Sequence, residues 1–237
     1  MKSPRVFSKL IDNSNPDSLS SKMRQRRWEQ FRELAMSIER PLKILDVGGS
    51  QRVWEQIGFA DQPDIHIILL NIDPMPSDHA NIVPVLGDAC CMSDFADKQF
   101  DIVFSNSLIE HVGDEGRIRQ CAEEIRRVGK NYFVQTPNRY FPVEPHFVFP
   151  LFQFLPTSLS TTLVQNFSLG WMPKCPVRAD AEAAVKSIRL LSKQEMKKLF
   201  PDGQIIEERL LGMTKSIQSC LFASGSFTST PSRGASA

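Results

Sequence analysis

The sequence has no excess of charge of either sign. Its 237 residues include 28 lysines and arginines against 27 aspartates and glutamates, which gives a formal net charge of +1 at pH 7. Such a balance provides no global field that would attract nucleic acid or an anionic membrane, so no nucleic-acid partner is expected. The hydrophobic fraction of 41% and the charged fraction of 23% are ordinary for a globular protein with a buried core.

Paired cysteines and long apolar runs are also missing. The five cysteines form no Cys-x-x-Cys pair and their number is odd, which favours reduced thiols over a disulfide framework or a zinc site. No stretch reaches the roughly 18 apolar residues of a membrane-spanning helix, and residues 1–21 lack the apolar core of a secretory signal. These absences predict a cytoplasmic protein. No acidic cluster has the spacing of metal ligands, so no metal is expected.

The distribution of polar and apolar segments predicts one domain with additions. Residues 1–20 are polar and are expected to form a flexible arm, and residues 225–237 are expected to form a disordered tail. The domain would occupy residues 21–224. Within it, residues 137–180 are crowded with proline and phenylalanine and are expected to form an insert that acts as a lid over an acceptor site.

Short apolar segments without strict alternation predict buried strands of a parallel sheet. They alternate with helical patterns, which is typical of an α/β fold built from right-handed crossovers. Predicted strands cover residues 43–47, 65–72, 82–86, 101–105, 131–135, 205–211 and 216–223, and predicted helices cover 21–39, 114–128 and 192–199. Pro41 is expected to end the first helix. Ser192 and Glu195 have the spacing of a capping box in the last one.

Several residues that can contact a ligand follow predicted strands. They are Asp46 at the end of the first strand, Gly48, Gly49 and Ser50 after it, Asp73 after the second, Asp88 and Ala89 after the third, and Ser105 and Asn106 at the fourth. Ligands of open parallel sheets bind outside the carboxyl ends of the strands, and glycine lets backbone come close to them. Each segment alone also fits a tight turn or a helix cap. Their shared position favours a ligand site.

The order and the amino-acid sequences of these segments resemble those of the class I S-adenosylmethionine (SAM)-dependent methyltransferases, especially the methyltransferase type 11 group. The resemblance covers about residues 42–138, in the segments LDVGGS, LLNIDP, GDACCMSDFADKQFDIVFSNSLIEHV and EEIRRVGKNYFVQTPN. It implies a Rossmann-like, seven-stranded, mostly parallel sheet with helices on both faces and an antiparallel final hairpin. It also implies S-adenosyl-L-methionine as the cofactor and methyl transfer as the reaction.

The resemblance also implies how the cofactor is bound. The methionine part would be held by Asp46, Gly48, Gly49 and Ser50, the ribose by Asp73, the adenine by Asp88 and Ala89, and the methyl end would be bordered by Ser105 and Asn106. The chain departs from the family's Gly-x-Gly-x-Gly pattern, because Ser50 and Arg52 occupy the second and third glycine positions. The missing third glycine argues against NAD, whose pyrophosphate needs close packing at that glycine.

Histidines supply the candidates for a base on the acceptor side. The sequence has four of them, and His146 is preferred because it opens the aromatic segment, where family members build acceptor sites. His111 and Glu144 are the other candidate catalytic residues. The family often carries the pair Glu110-His111, in which the histidine more commonly supports the pocket. A structural role stays open for each histidine.

The favoured function is methyl transfer to a small or lipid-like acceptor, at oxygen or else at carbon or nitrogen. One alternative is a catalytically inactive binding or scaffold protein, motivated by Ser50 and Arg52. A second is an RNA or protein methyltransferase, which the near-neutral charge disfavours. The aromatic segment is interpreted as a packed lid, with an apolar acceptor pocket or a transient membrane contact as alternatives. The membrane contact would use Phe147, Phe149, Phe152 and Phe154.

Overall fold

The computed structural model describes residues 18–73 and 75–222. Its helices are α1 (Leu19–Met36), α2 (Gln51–Ile57), α3 (Glu115–Val128), α4 (Thr157–Asn166), α5 (Arg178–Lys186) and α6 (Lys193–Leu199). Its strands are β1 (Leu42–Val47), β2 (Ile65–Asn71), β3 (Ile82–Leu86), β4 (Phe100–Asn106), β5 (Gly129–Pro137), β6 (Val143–Glu144), β7 (Phe149–Pro150), β8 (Gln204–Leu210) and β9 (Met213–Leu221). The predicted tail and residues 1–17 of the predicted arm lie outside the described residues.

Seven strands form one sheet in the order β3-β2-β1-β4-β5-β9-β8. Strands β1 to β5 pair in parallel, whereas β9 runs antiparallel to both β5 and β8. The predicted Rossmann-like sheet with an antiparallel final hairpin is therefore confirmed. Because parallel strands end at the same edge, the carboxyl ends of β1 to β5 and the residues that follow them share one side of the molecule.

Successive residues of each strand point to opposite faces, so two hydrophobic cores cover the sheet. On one face, α3 buries an apolar stripe with three- and four-residue spacing, as the sequence predicts. The stripe consists of Ile118, Cys121, Ala122, Ile125 and Val128. The other face is covered by α1 and α2, which contribute Phe31 and Trp54 to the second core.

Several element boundaries differ from the predicted ones. Helix α1 begins at Leu19, inside the predicted arm, and ends at Met36 with Ser37 as its cap, so Pro41 does not end it. Strand β5 is longer than predicted because it pairs along its length with β4 and β9. The predicted capping box is present: Ser192 Oγ accepts from the Glu195 backbone N–H, and the Glu195 carboxylate accepts from the Ser192 N–H.

The proline-rich insert contains two helices and a hairpin that the sequence did not predict. Helices α4 and α5 and the β6–β7 hairpin surround a small core that includes Phe147 and Phe152, and this core extends to Ile188, past the predicted end at residue 180. The Phe147 and Phe152 rings stack 4.0 Å apart. These two side chains are buried, whereas Phe154 is 45% exposed. Among the described residues, no helix combines the length and apolarity needed to cross a bilayer.

Helix α1 is held on the sheet by aromatic packing. Phe31 is fully buried, and its ring centroid lies 4.7 Å from that of Phe104 and 5.4 Å from that of Phe133 on the sheet. The same ring lies 5.9 Å from Trp54 of α2 and 6.3 Å from Phe59. One side chain thus joins α1, α2 and two central strands.

We expect Phe31→Ala to lower the free energy of unfolding by about 3–5 kcal/mol, because the truncation leaves a cavity among four aromatic rings. Urea unfolding followed by circular dichroism measures the loss. Met36→Ala on the same helix is the matched control, since Met36 is 54% exposed and its truncation should cost about 0.5 kcal/mol or less. Equal losses in the two variants would contradict the role assigned to Phe31.

Candidate active site

The turn of residues 48–50 that follows β1, here called the glycine turn, is shaped by packing within the protein. Gly48 has a φ of +81°, and a Cβ there would lie 2.5 Å from Leu108 Cδ1. A Cβ at Gly49 would lie 1.7 Å from Asp46 Oδ2. Both positions need glycine for the fold itself. The Gly-Gly pair is therefore no evidence of a ligand by itself. Ser50 follows as the N-cap of α2, without a side-chain cap bond.

The Asp46 carboxyl group is buried beneath the glycine turn. Its Oδ2 accepts a hydrogen bond from Trp54 Nε1 at 2.8 Å, and its Oδ1 has no hydrogen-bond partner among the described residues. Burial raises the pKa of Asp46 to about 8, although the Trp54 hydrogen bond opposes this shift. The group is therefore mainly protonated at pH 7. In this position Asp46 supports the glycine turn from below.

The ends of β2 and β3 are tied to the glycine turn. Asn71 Nδ2 donates to the Gly49 carbonyl at 3.1 Å, and the Gly87 N–H donates to the Asn71 carbonyl at 2.9 Å. Two hydrogen bonds, of 2.8 and 3.3 Å, join Gln51 of α2 to Asp78 and fold the loop after β2 back toward α2. The side chain of Asp73 is exposed in this loop.

Asp88 lies after β3 and is held by two groups of donors. Its Oδ1 accepts from the Cys90 N–H at 2.9 Å, and Arg117 Nη2 lies 3.0 and 2.9 Å from its two oxygens. The Cys90 backbone hydrogen bond and then Arg117 lower the pKa of Asp88. The carboxylate is therefore ionised at neutral pH and keeps lone pairs for another donor. Ala89 next to it is 8% exposed.

Ser105 and Asn106 end β4 in different surroundings. Ser105 is fully buried, and its Oγ has no hydrogen-bond partner in the described part of the chain. Asn106 is partly exposed and its Oδ1 accepts from Arg27 Nη1 at 2.6 Å. Arg27 of α1 also forms two hydrogen bonds, of 2.8 and 2.6 Å, with the Glu208 carboxylate. These contacts connect α1 to the end of β4 and to β8.

The three residues predicted on the acceptor side come together. His111 lies in a 3₁₀ turn after β4, and its Nε2 is 3.1 Å from Nε2 of His146, which is 35 positions away along the chain. His146 Nδ1 lies 2.6 Å from Glu144 Oε1. The other oxygen of Glu144 accepts from the backbone N–H groups of His146 and Phe147 at 2.7 and 2.6 Å. The β6–β7 hairpin thus places His146 against the 3₁₀ turn that follows β4.

Glu110 joins this group, although the sequence did not predict it as a site residue. It is fully buried. Its Oε2 accepts from Thr136 Oγ1 at 2.8 Å, and its Oε1 has no partner among the residues described. Burial raises its pKa to about 7 against opposing hydrogen bonds. One ligand atom each from Glu110, His111 and His146 lies within 4.8 Å of the others. We call these three residues and Glu144 the histidine centre.

The two imidazoles of the histidine centre differ in proton affinity. Burial and the neighbouring His146 lower the pKa of His111. Burial also opposes the charged form of His146, but the hydrogen bond and negative charge of Glu144 outweigh it and raise the pKa of His146. His146 is therefore the stronger base. Because a carboxylate only accepts, His146 donates to Glu144 through Nδ1 and turns Nε2 toward His111.

One segment of the chain matches a known protein family. Residues 46–132 match the family described as Methyltransferase domain. Over 64 residues the chain is 36% identical to two uncharacterized proteins of Mycobacterium tuberculosis, one from strain CDC 1551 and one from strain H37Rv. The aligned segment is 27% of this chain and spans only 22% of each relative.

Solved structures share the fold at low sequence identity. The CurJ carbon methyltransferase superposes with a TM-score of 0.57 at 11% identity, over 87% of this chain and 56% of that one. A possible exported protein from Bordetella parapertussis superposes with a TM-score of 0.50 at 13% identity, over 84% of this chain and 68% of that one. The likeness extends the fold assignment beyond the segment that matches the family.

We expect Asp46→Asn to flatten the pH dependence of stability. The unfolded chain releases the Asp46 proton near its ordinary pKa of 3.8, whereas the folded chain keeps it until about pH 8. The wild-type free energy of unfolding therefore falls as pH rises between these values. Asparagine still accepts from Trp54 and does not ionise. As pH rises through this range, the free energy of unfolding of the variant should increase relative to that of wild type by up to about 1.4 kcal/mol per pH unit. Urea unfolding from mildly acidic to mildly basic pH measures this difference.

Asp88→Asn is the control for this pH series. Because the pKa of Asp88 is lowered in the folded chain, its ionised form stabilises the fold at neutral pH, and this contribution is lost as pH falls through the folded pKa. The variant should be less stable than wild type at pH 7, with a deficit that shrinks in acid. An Asp46→Asn variant that follows wild type at every pH would contradict a buried, protonated Asp46.

Proposed function

We propose that this chain, which belongs to the class I SAM-dependent methyltransferases of the type 11 group, methylates a small or lipid-like acceptor at an oxygen atom with SAM as its cofactor. The observation that carries the proposal is that two polar centres share one edge of the sheet. The glycine turn, Asp73 and Asp88 follow β1 to β3, and the histidine centre follows β4 and β5. The cofactor would bind at the first centre and the acceptor at the second.

The groups at the ends of β2 and β3 suit the nucleoside part of SAM. The exposed carboxylate of Asp73 can accept hydrogen bonds from both ribose hydroxyls. Asp88 is held ionised by Cys90 and Arg117, and its remaining lone pairs can accept from the adenine amino group. The neighbouring Ala89 leaves room for the adenine ring. These residues supply acceptors where the nucleoside offers donors.

Positive charge beside the glycine turn suits the methionine carboxylate of SAM. The pKa of Arg24 is lowered by burial and by the charges of Arg27 and Arg52, so the three guanidinium groups lie near one another. Arg52 occupies the position of a family glycine and is exposed. We infer that its replacement of glycine adds a cation near the carboxylate of the cofactor and leaves the glycine turn able to bind SAM.

When bound, SAM supplies a methyl group that is already activated for displacement. The task of this chain is to align the acceptor oxygen, exclude water and accept the proton that the acceptor loses. His146 suits the last role, because Glu144 raises its pKa and fixes the Nδ1–H tautomer. Its Nε2 can then act as a general base.

A cavity of about 240 Å³ adjoins Glu144 of the histidine centre, and its mixed lining suits an acceptor that combines an apolar body with polar groups. Glu144 lies on its wall with Phe147 and Phe152 of the insert, and Arg139 and Arg189 add polar lining. Pockets that bind small molecules use polar groups beside apolar walls to fix the orientation of the ligand. Hydrophobic phenols, quinols and sugars are therefore the first acceptors to screen.

The cofactor assignment is tested by isothermal titration of the purified chain with SAM. We expect Asp73→Ala to weaken SAM binding by about 10- to 100-fold, because two charge-assisted hydrogen bonds to the ribose are lost. Asp64→Ala is the matched control: Asp64 precedes β2 at the opposite edge of the sheet and pairs with Arg40, so its removal should leave binding unchanged. Wild type that fails to bind millimolar SAM would favour the scaffold alternative.

The role of His146 is tested by product formation from SAM with the acceptors above. We expect His146→Gln to lower turnover by about 10²- to 10⁴-fold, the usual contribution of a positioned base, while the affinity for SAM stays unchanged. His66→Gln is the control, because His66 is exposed on β2. Equal turnover in His146→Gln and wild type would contradict the role of His146 as the base.

A further inference from the structure

We propose that Glu110, His111 and His146 form a binding site for a divalent transition-metal cation, although the sequence predicted no metal. The inference goes beyond the proposed methyl transfer, because it concerns a ligand of the histidine centre itself. The three residues are brought together from the turn after β4 and from the β6–β7 hairpin.

The separation of the two imidazoles fits two ligands of one cation. The 3.1 Å between their Nε2 atoms corresponds to a nitrogen–metal–nitrogen angle of about 95° at metal–nitrogen distances of about 2.1 Å. One carboxylate oxygen of Glu110 and one ring nitrogen of each histidine all lie within 4.8 Å of one another. Ligand atoms on opposite sides of one cation are about 4.2 Å apart at this bond length, which is slightly less than the 4.8 Å within which these three atoms lie. A small rotation of the Glu110 or His111 side chain would bring all three ligand atoms within bonding distance of one cation.

The hydrogen bond between His146 and Glu144 leaves a lone pair on His146 that faces His111. His146 donates to Glu144 through Nδ1, so its Nε2 presents a lone pair to His111 Nε2. The buried Oε1 of Glu110 adds an acceptor without a donor among the described residues. A proton shared by the two histidines would satisfy the nitrogens and still leave Glu110 Oε1 unpaired, which is costly in a buried position. A cation satisfies all three groups at once.

Two of the proposed ligand residues, His146 and Glu110, are oriented by hydrogen bonds with neighbouring groups, as ligands in metal sites usually are. The Glu144 carboxylate, itself buried and bonded by two backbone N–H groups, orients the His146 ring. Thr136 donates to the other oxygen of Glu110 and fixes that carboxylate. A carboxylate behind a ligating histidine and a donor behind a ligating carboxylate are the usual outer contacts of bound metals. The histidine centre has both.

The ligand set points to the kind of cation and to its role. Two imidazoles and one carboxylate suit Zn²⁺, Fe²⁺, Co²⁺ or Mn²⁺, and three protein ligands leave positions open for another oxygen. His111 is exposed, which gives the cation access from solvent. An acceptor hydroxyl in an open position would bind the cation and lose its proton more easily. With the cation present, His146 would serve as a ligand and not as the base, and the acceptor proton would pass to solvent water at the exposed side of His111.

The test is titration of the chelator-treated full chain with Zn²⁺, by calorimetry, and with Co²⁺, by visible absorption. We expect one cation per chain and cobalt bands without the charge-transfer absorption of a cysteine ligand. His111→Ala, His146→Ala and Glu110→Gln should each weaken binding on the order of 100-fold or more, and Glu144→Gln about 10- to 100-fold. His66→Ala controls for incidental histidine binding and should match wild type.

Failure of the wild type to bind one equivalent of cation overturns the proposal, as does binding that Glu110→Gln and His146→Ala leave intact. Circular dichroism of each variant confirms that it is folded. If an alanine variant unfolds, the near-isosteric Glu110→Gln decides. SAM titration of the same samples separates the two proposals. SAM binding without cation binding would contradict only the metal site, and cation binding without SAM binding would contradict only the proposed methyl transfer.

Discussion

The hydrogen bond between Trp54 and Asp46 is the contact on which the geometry of the site depends. The Trp54 ring packs on Phe31 and Phe104 in the core, and its N–H reaches the buried Asp46 carboxyl at 2.8 Å. That carboxyl fills the space below Gly49, and the Gly49 carbonyl in turn accepts from Asn71 at the end of β2. The aromatic core thereby sets the position of the glycine turn and, through it, the neighbouring strand end.

Burial of unpaired polar atoms sets the electrostatic character of the same edge. Asp46 Oδ1, Ser105 Oγ and Glu110 Oε1 lie at or just beyond the carboxyl ends of β1 and β4, and none has a hydrogen-bond partner within the described residues. Each such atom costs about 1–3 kcal/mol. Burial raises the pKa of Asp46 to about 8 and that of Glu110 to about 7, so at pH 7 Asp46 is mainly protonated and Glu110 is about half protonated. For Glu110, a bound cation would instead compensate the ionised form.

Local patterns made the sheet predictable, together with the strand ends at which the candidate site residues lie, whereas long-range packing determines how those side chains are arranged. The seven-stranded, mostly parallel sheet and its final hairpin agree with the resemblance, and the capping box at Ser192 depends only on residues three positions apart. The direction of the Asp46 side chain depends on Trp54, eight residues later, and the Gly-Gly pair is explained by contacts with Asp46 and Leu108. No sequence spacing pairs Glu110 with His146, because the insert brings them together only in the folded chain.

The insert has a more specific role than covering the core, because its packing positions the histidine centre. Glu144 accepts from the backbone N–H groups of His146 and Phe147, so the carboxylate that orients His146 is fixed by the start of the insert's own core. Phe147 stacks on Phe152 within that core, and both line the cavity beside Glu144. A change in the insert therefore alters this cavity and the His146 position together. Under the proposed function, acceptor specificity and reaction geometry would be coupled through the insert, whereas the glycine turn depends on the separate aromatic core beneath it.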